Sequence, residues 1–253
     1  MTLRSSLWGL AALLVCGCGG STLSNKGLGD GGPDGAADAG SAATSLRQGL
    51  VGAWSFDGDA KDHSSNMFDL DTRTLRFVNG KFGKGLQLAG EGTAIAQRTK
   101  NDPALDVASG DFAVSFWVDF AVTDAAQFVA VKGYGDSGWF VGWAKTEWAY
   151  GLPTGSTFVP PGGSPSANTF HHVVFQRSGA TMQLFVDSKS LGTKPATAGA
   201  ASGDPFQVGG YAPGGVAADH AQSVVNGVVD DLAIWRRTLV SEELAYLDTH
   251  PVP

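Results

Sequence analysis

Residues 111–120 read DFAVSFWVDF, and this stretch decides the fold. Phe112, Val114, Phe116, Val118 and Phe120 recur at every second position, the period of a strand. Its Val, Phe and Trp content suits a pleated surface. Working outward, similar short apolar runs recur between clusters of Gly, Pro, Asp and Ser. They are Leu50–Phe56, Gly85–Ala89, Phe128–Lys132, Trp139–Trp143, Trp148–Leu152, His171–Gln176, Met182–Asp187, Phe206–Gly209 and Val228–Trp235. Runs of this kind with turn-rich connections predict an all-β, two-sheet antiparallel jelly-roll sandwich. Only Ser241–Leu247 reads as a helix, with Ser241 at its cap and Glu242 and Glu243 in its first turn. The sequence shows no convincing repeat and no second globular domain, so the predicted domain spans 46–253.

The N-terminal end has a different character. MTLR is a small positive segment, and Leu7–Val15 is apolar but too short to span a bilayer. Leu14-Val15-Cys16-Gly17-Cys18 resembles the lipobox of bacterial lipoprotein signals, with Gly17 as the small residue before the acylated cysteine. The expectation is a signal peptide over 1–17, lipidation at Cys18 and an envelope location, either outer membrane or secreted. From 18 to 45 the chain is mostly Gly, Ala, Ser and Asp, which reads as a flexible tether. No cysteine follows Cys18, so the mature fold has no disulfide. The formal charge is −7, and losing Arg4 with the leader makes it more acidic. An acidic chain without a basic run argues against nucleic acid and against electrostatic attachment to anionic lipid.

Five blocks in order carry a family resemblance. They are LVGAWSFDG at 50–58 with Asp62-His63-Ser64-Ser65-Asn66, FGKGL at 82–86, DFAVSFWV at 111–118, FHHV at 170–173 with LFVD at 184–187, and VDDLAIW at 229–235 with Leu239 and Ser241-Glu242-Glu243. Together they resemble the bacterial LamG-like jelly-roll domains of the concanavalin A-like lectin and glucanase superfamily. Phe170 stands where that family usually has Trp. Ser188 stands where it has a glycine that serves a positive φ in the hairpin turn.

The segment SFDGDAKDHSSN, residues 55–66, crowds three carboxylates together. It is not an EF-hand loop, because Lys61 occupies the third ligand slot and no distant Glu follows. The resemblance implies instead a structural Ca²⁺ site joining the first and last strands, with Asp57 and Asp230 as ligands and Asp62 as a further candidate. The alternative is that Asp57 and Asp62 organise Asx turns and Asp230 bonds backbone amides. Asp59 reads as solvated.

Catalytic signatures are sparse. The four glutamates are Glu91, Glu147, Glu242 and Glu243, and none belongs to the alternating-acid strand signature of the superfamily's glucanases. His171 and His172 are neighbours on a strand and point to opposite faces, one inward and hydrogen-bonded, the other toward solvent. Trp54, Trp117 and Trp235 read as core. Trp139, Trp143, Trp148, Tyr150 and Tyr211 are candidate sugar-stacking rings, with core filling as the alternative. The expected function is therefore a lipid-anchored, calcium-stabilised envelope module that binds extracellular glycan or protein. The competing readings are a structural or adhesion domain with no small ligand and, third, a glycan-active hydrolase.

Overall fold

In chain order the elements of the computed structural model are α1 (Gly35–Ser45), β1 (Leu50–Trp54), β2 (Arg76–Asn79), β3 (Lys84–Ala89), β4 (Ala96–Gln97), β5 (Phe112–Phe120), β6 (Ala126–Lys132) and β7 (Trp139–Ala144). They continue with β8 (Trp148–Gly151), β9 (Ser156–Phe158), β10 (Phe170–Ser178), β11 (Thr181–Val186), β12 (Lys189–Pro195), β13 (Gln207–Val208), β14 (Asn226–Trp235) and α2 (Ser241–Leu247). The structure describes residues 35–90, 95–135, 137–152, 156–158, 164–215 and 221–253. Among the described residues no helix is long and apolar enough to cross a membrane.

The strands form two antiparallel sheets, as the alternation predicts. The larger runs β12-β11-β10-β5-β14-β3-β2, with β1 also paired to β14; the smaller runs β4-β13-β6-β7-β8-β9. At the centre of the larger sheet, β5 sets Phe116 opposite Val173 of β10 and Val118 opposite Val229 of β14. Their inward side chains meet Trp139, Val141, Trp143, Trp148 and Tyr150 of the smaller sheet in one apolar core. The outward face of β5 is covered as well. Ala113, Val174, Ala233 and Trp235 pack under Leu46, Leu239 and Leu247, so β5 is buried on both sides. That double burial explains why its polar positions are so few.

The structure moves the domain boundary. The predicted tether was flexible to residue 45, but Gly35–Ser45 is a helix and the folded unit starts at Gly35. Ala42 and Leu46 are buried, and the Leu46 carbonyl accepts the Trp235 indole N–H at 2.6 Å. An alanine-rich stretch has enough helix propensity to form once an apolar residue docks it. Cys18 and the remainder of the predicted leader and tether, 1–34, lie outside the described residues.

α2 also corrects its predicted cap. Val240, not Ser241, occupies the N-cap, and the Glu243 carboxylate reaches back to accept the Val240 N–H at 3.0 Å. The same carboxylate takes two bonds from Arg237, at 2.6 and 2.7 Å, and one from the Ser45 hydroxyl at 2.7 Å. These bonds hold its pKa low against the opposing effect of burial. The β11–β12 hairpin turns through Asp187 and Ser188, both at positive φ (48° and 61°), so Ser188 adopts the conformation usually given to glycine.

Candidate functional site

The turn between β2 and β3 gathers the carboxylates predicted from far apart in sequence. Asp57 Oδ1 accepts the Lys84 N–H at 2.7 Å, and Asp230 Oδ2 accepts the Phe82 N–H at 3.0 Å. Gly80 and Gly83 make this approach possible, since a Cβ at either would lie within 2.4 Å of an Asp230 or Asp57 oxygen. Asp230 and Asp231 straddle a bulge in β14, where Asp231 takes a φ of 44°. Both are buried, and Asp231 Oδ2 has no hydrogen-bond partner. Burial, then the charge of Asp57, pushes Asp230 up to about 7. Burial, then the charges of Asp230 and Asp57, pushes Asp231 up to about 8.

No salt bridge reaches these three among the described residues, and an orphan carboxylate oxygen beside two more carboxylates fits a cation in charge. No complete side-chain metal set of three converges there among the described residues. Asp62 does not fit. It accepts the Ala53 N–H at 2.9 Å, the Ser64 N–H and hydroxyl at 2.8 and 2.7 Å, and the Phe68 N–H at 2.8 Å. With both oxygens committed, Asp62 organises the loop after β1, and its place in a metal set is withdrawn.

The candidate rings separate into two groups. Trp139, Trp143, Trp148 and Tyr150 are at most 2% exposed, and the ligand-contact reading of these four is corrected to core. Their polar atoms are used inside: Trp139 Nε1 donates to Leu105 O, Trp143 Nε1 to Thr123 O and Tyr150 Oη to Pro195 O. Tyr211 differs. It is half-buried and belongs to a surface cluster with Tyr134, Phe140 and Phe128. Tyr134 is 50% exposed, with its ring centroid 5.3 Å from both Tyr211 and Phe140. Phe140 lies over Gly151, where any Cβ would collide with its ring. Phe140 is out of phase with Trp139 and Val141, so strand alternation alone could have assigned it to the outer face.

A polar cleft of about 350 Å³ lies where the 71–73 loop crosses β4. Asp71, Arg73, Gln97, Arg98, Lys100 and Asn101 line it, together with Gly203, Pro205 and Gly214. Asp71 and Gln97 exchange backbone hydrogen bonds at 2.8 and 3.0 Å, which closes its floor. Lys132, fully buried, braces the walls. Its ammonium sits 3.2 Å from Asp106 and donates to Asn101 Oδ1, Ser202 O and Asp204 O. Asp204 also accepts the Tyr211 hydroxyl at 3.1 Å, linking the aromatic cluster to the cleft wall. Burial and that carboxylate push the Tyr211 phenol up to about 12. The sequence reading missed this cleft, because its residues come from separate loops with no shared motif.

The histidine pair holds a further surprise. His172 Nε2 lies 2.8 Å from Ser115 Oγ, and its Nδ1 bonds Asp248 just beyond α2. The order matches a nucleophile, base and acid. Ser115 and His172 are, however, at most 2% exposed beneath the C-terminal segment, so no substrate reaches the hydroxyl. Of the pair, His172 is the buried, hydrogen-bonded member, and His171 is partly exposed, with its Nδ1 held 2.8 Å from Asp187 Oδ2. That hydrogen bond raises the His171 pKa.

A laminin G-type family model, described as the concanavalin A-like lectin/glucanases superfamily, matches residues 91–245. No curated protein matches the chain. Among solved structures, the binding domain of Paraclostridial Mosquitocidal Protein 1 has a TM-score of 0.62 at 16% identity, covering 79% of this chain and 52% of that one. Domain 4 of AbnA, a GH43 extracellular arabinanase from Geobacillus stearothermophilus solved with arabinotriose, has a TM-score of 0.60 at 15% identity, covering 79% and 98%. The binding domain of botulinum neurotoxin DC in complex with SialylT has a TM-score of 0.56 at 11% identity, covering 80% and 52%. The chain thus spans 52% of each of these toxin domains, and at such identities the likeness is one of fold.

Proposed function

The chain belongs to the concanavalin A-like lectin/glucanases superfamily, and from that premise we propose that it is a non-catalytic module that binds extracellular carbohydrate. The observation that carries this reading is the braced polar cleft beside the Tyr134–Tyr211 cluster. Amides, a carboxylate and cationic groups match a hydroxyl-rich ligand, and exposed rings match the apolar face of a sugar. The arabinotriose and SialylT complexes of structurally similar domains support it. The occlusion of Ser115 and His172 supports a role in which they pin the C-terminal segment to β5.

Calcium is proposed to stabilise the fold between Asp57 and Asp230, with the charge of Asp231 beside them, supplying the positive charge these carboxylates lack; backbone carbonyls and water would complete its shell. Anchoring through acylated Cys18 to the cell envelope is proposed with it, and loss of labelled fatty acid from a Cys18→Ser variant expressed in bacteria checks that part. A glycan array probed with and without calcium tests the binding reading. At least one glycan family is expected to be retained in calcium. Uniform failure in both conditions overturns the reading in favour of a protein-binding or structural domain.

A further inference from the structure

We propose that the cleft recognises a sugar bearing a carboxylate, a uronic or sialic acid, through Arg73 and Lys100. The proposal rests on the glycan-binding reading above and narrows it to a chemical class. Three cationic side chains line the cleft against one carboxylate, in a chain whose formal charge is −7. The three are not equivalent. Arg98 is committed: its Nε donates to Asp102 Oδ2 at 2.6 Å, another of its nitrogens bonds the Asp69 carbonyl, and the pair is buried.

Arg73 and Lys100 are held loosely. Arg73 Nε is 3.8 Å from Asp71, and Lys100 Nζ is 3.9 Å from Asp102 with a side chain 70% exposed. Exposed pairs this long contribute little, so either cation can turn to an incoming carboxylate at small cost. Asp102 already neutralises Arg98, which leaves Arg73 and Lys100 against Asp71, a surplus of one positive charge among the lining groups themselves, with Lys132 set between Asp106 and Asp204 behind the wall.

The other groups suit hydroxyls. Asn101 Oδ1 is taken by Lys132, so its NH₂ is what remains to donate, and Asp71 is an acceptor. A volume of about 350 Å³ lies at the small end of ligand pockets, a scale for one or two sugar rings rather than a long polymer. The acidic remainder of the chain repels a dense polyanion at long range, which favours a single carboxylate over a heavily sulfated chain.

Calorimetry with the mature chain decides it, using two matched pairs: trigalacturonate against its carboxyl-reduced counterpart, and sialyllactose against lactose. In at least one pair the acidic member is expected to bind about tenfold or more tightly than the neutral one, the scale of a charge-assisted hydrogen bond. Arg73→Ala and Lys100→Ala should each remove most of that preference while leaving Tm unchanged, and Lys100→Arg should restore it. Equal binding of acidic and neutral members, or variants that leave the preference intact, overturns the carboxylate assignment while glycan binding stands. If neither member of either pair binds, the assignment is again overturned, and an array with no hits would then sink the underlying binding reading too.

Discussion

Asp62 and the Asp230–Asp231 pair are buried alike, yet the fold treats them in opposite ways. Asp62 receives the Ala53, Ser64 and Phe68 amides and the Ser64 hydroxyl, all from its own loop and the strand before it. Asp230 and Asp231 share a strand bulge, face the charge of Asp57 and leave one oxygen unpartnered. A buried carboxylate is stabilising when neighbouring donors converge on it. Where acidic neighbours crowd it and the amides that reach it, such as Phe82 and Asp231 on Asp230 and Val252 on Asp231, do not offset them, it holds its proton or needs a cation.

The largest effect is expected from Asp62→Ala. Leaving its buried donors unsatisfied should cost about 3 kcal/mol in urea unfolding, and a loss under about 1 kcal/mol would erase the contrast. Next comes calcium. Asp230 and Asp231 keep their protons in the folded chain at pH values where unfolded carboxylates, near 3.8, have lost them. The folded state therefore binds more protons across that interval, and calcium-free stability should fall as pH rises from about 4 to about 8. A calcium ion bound there, as proposed, would compete with those protons. After EDTA treatment it should raise Tm by about 5 °C at pH 8 and much less at pH 5, an effect lost in an Asp57→Ala and Asp230→Ala double variant.

A smaller effect of opposite sign is expected for Asp231→Asn. It removes one of the crowded charges while keeping an acceptor for the Val252 N–H, which Asp231 Oδ1 takes at 3.3 Å. At pH 8 without calcium this variant should be more stable than the parent by about 1 kcal/mol, and at pH 5 the gain should vanish. The smallest is Asp59→Ala. Asp59 is exposed, with only a Lys61 amide at 3.1 Å and a 3.6 Å ion pair, so its loss should move stability by less than about 0.5 kcal/mol.

The strands legible in the sequence were those with both alternation and bulk. Phe112–Phe120 appears with its predicted bounds as β5, and Trp139–Trp143 gains one residue as β7. The elements that escaped lack one or both signals. β12, KSLGTKP, is an exposed edge strand whose lysines and proline discourage further pairing, so no apolar pattern marks it. β4 and β9 are too short to carry a period, and α1 is held by a partner at Glu243 that local composition cannot reveal.

The carboxylates show the same division. Local sequence was enough to nominate Asp57 and Asp230 through a family resemblance, and to dismiss Asp59 as solvated. It could not separate Asp62 from them, because residue type and spacing do not say which donors will converge. Alternation marked Trp139, Trp143, Trp148 and Tyr150 as sharing strand faces, but only the second sheet decided that those faces look inward. The cleft at Arg73 and Lys100 is the extreme case. It is assembled by loops from both ends of the chain's middle and braced by a buried lysine, so its cationic character exists only in three dimensions. Periodicity is a local property and survives in one dimension; the convergence of donors, charges and walls depends on contacts between distant segments, and only the folded chain contains them.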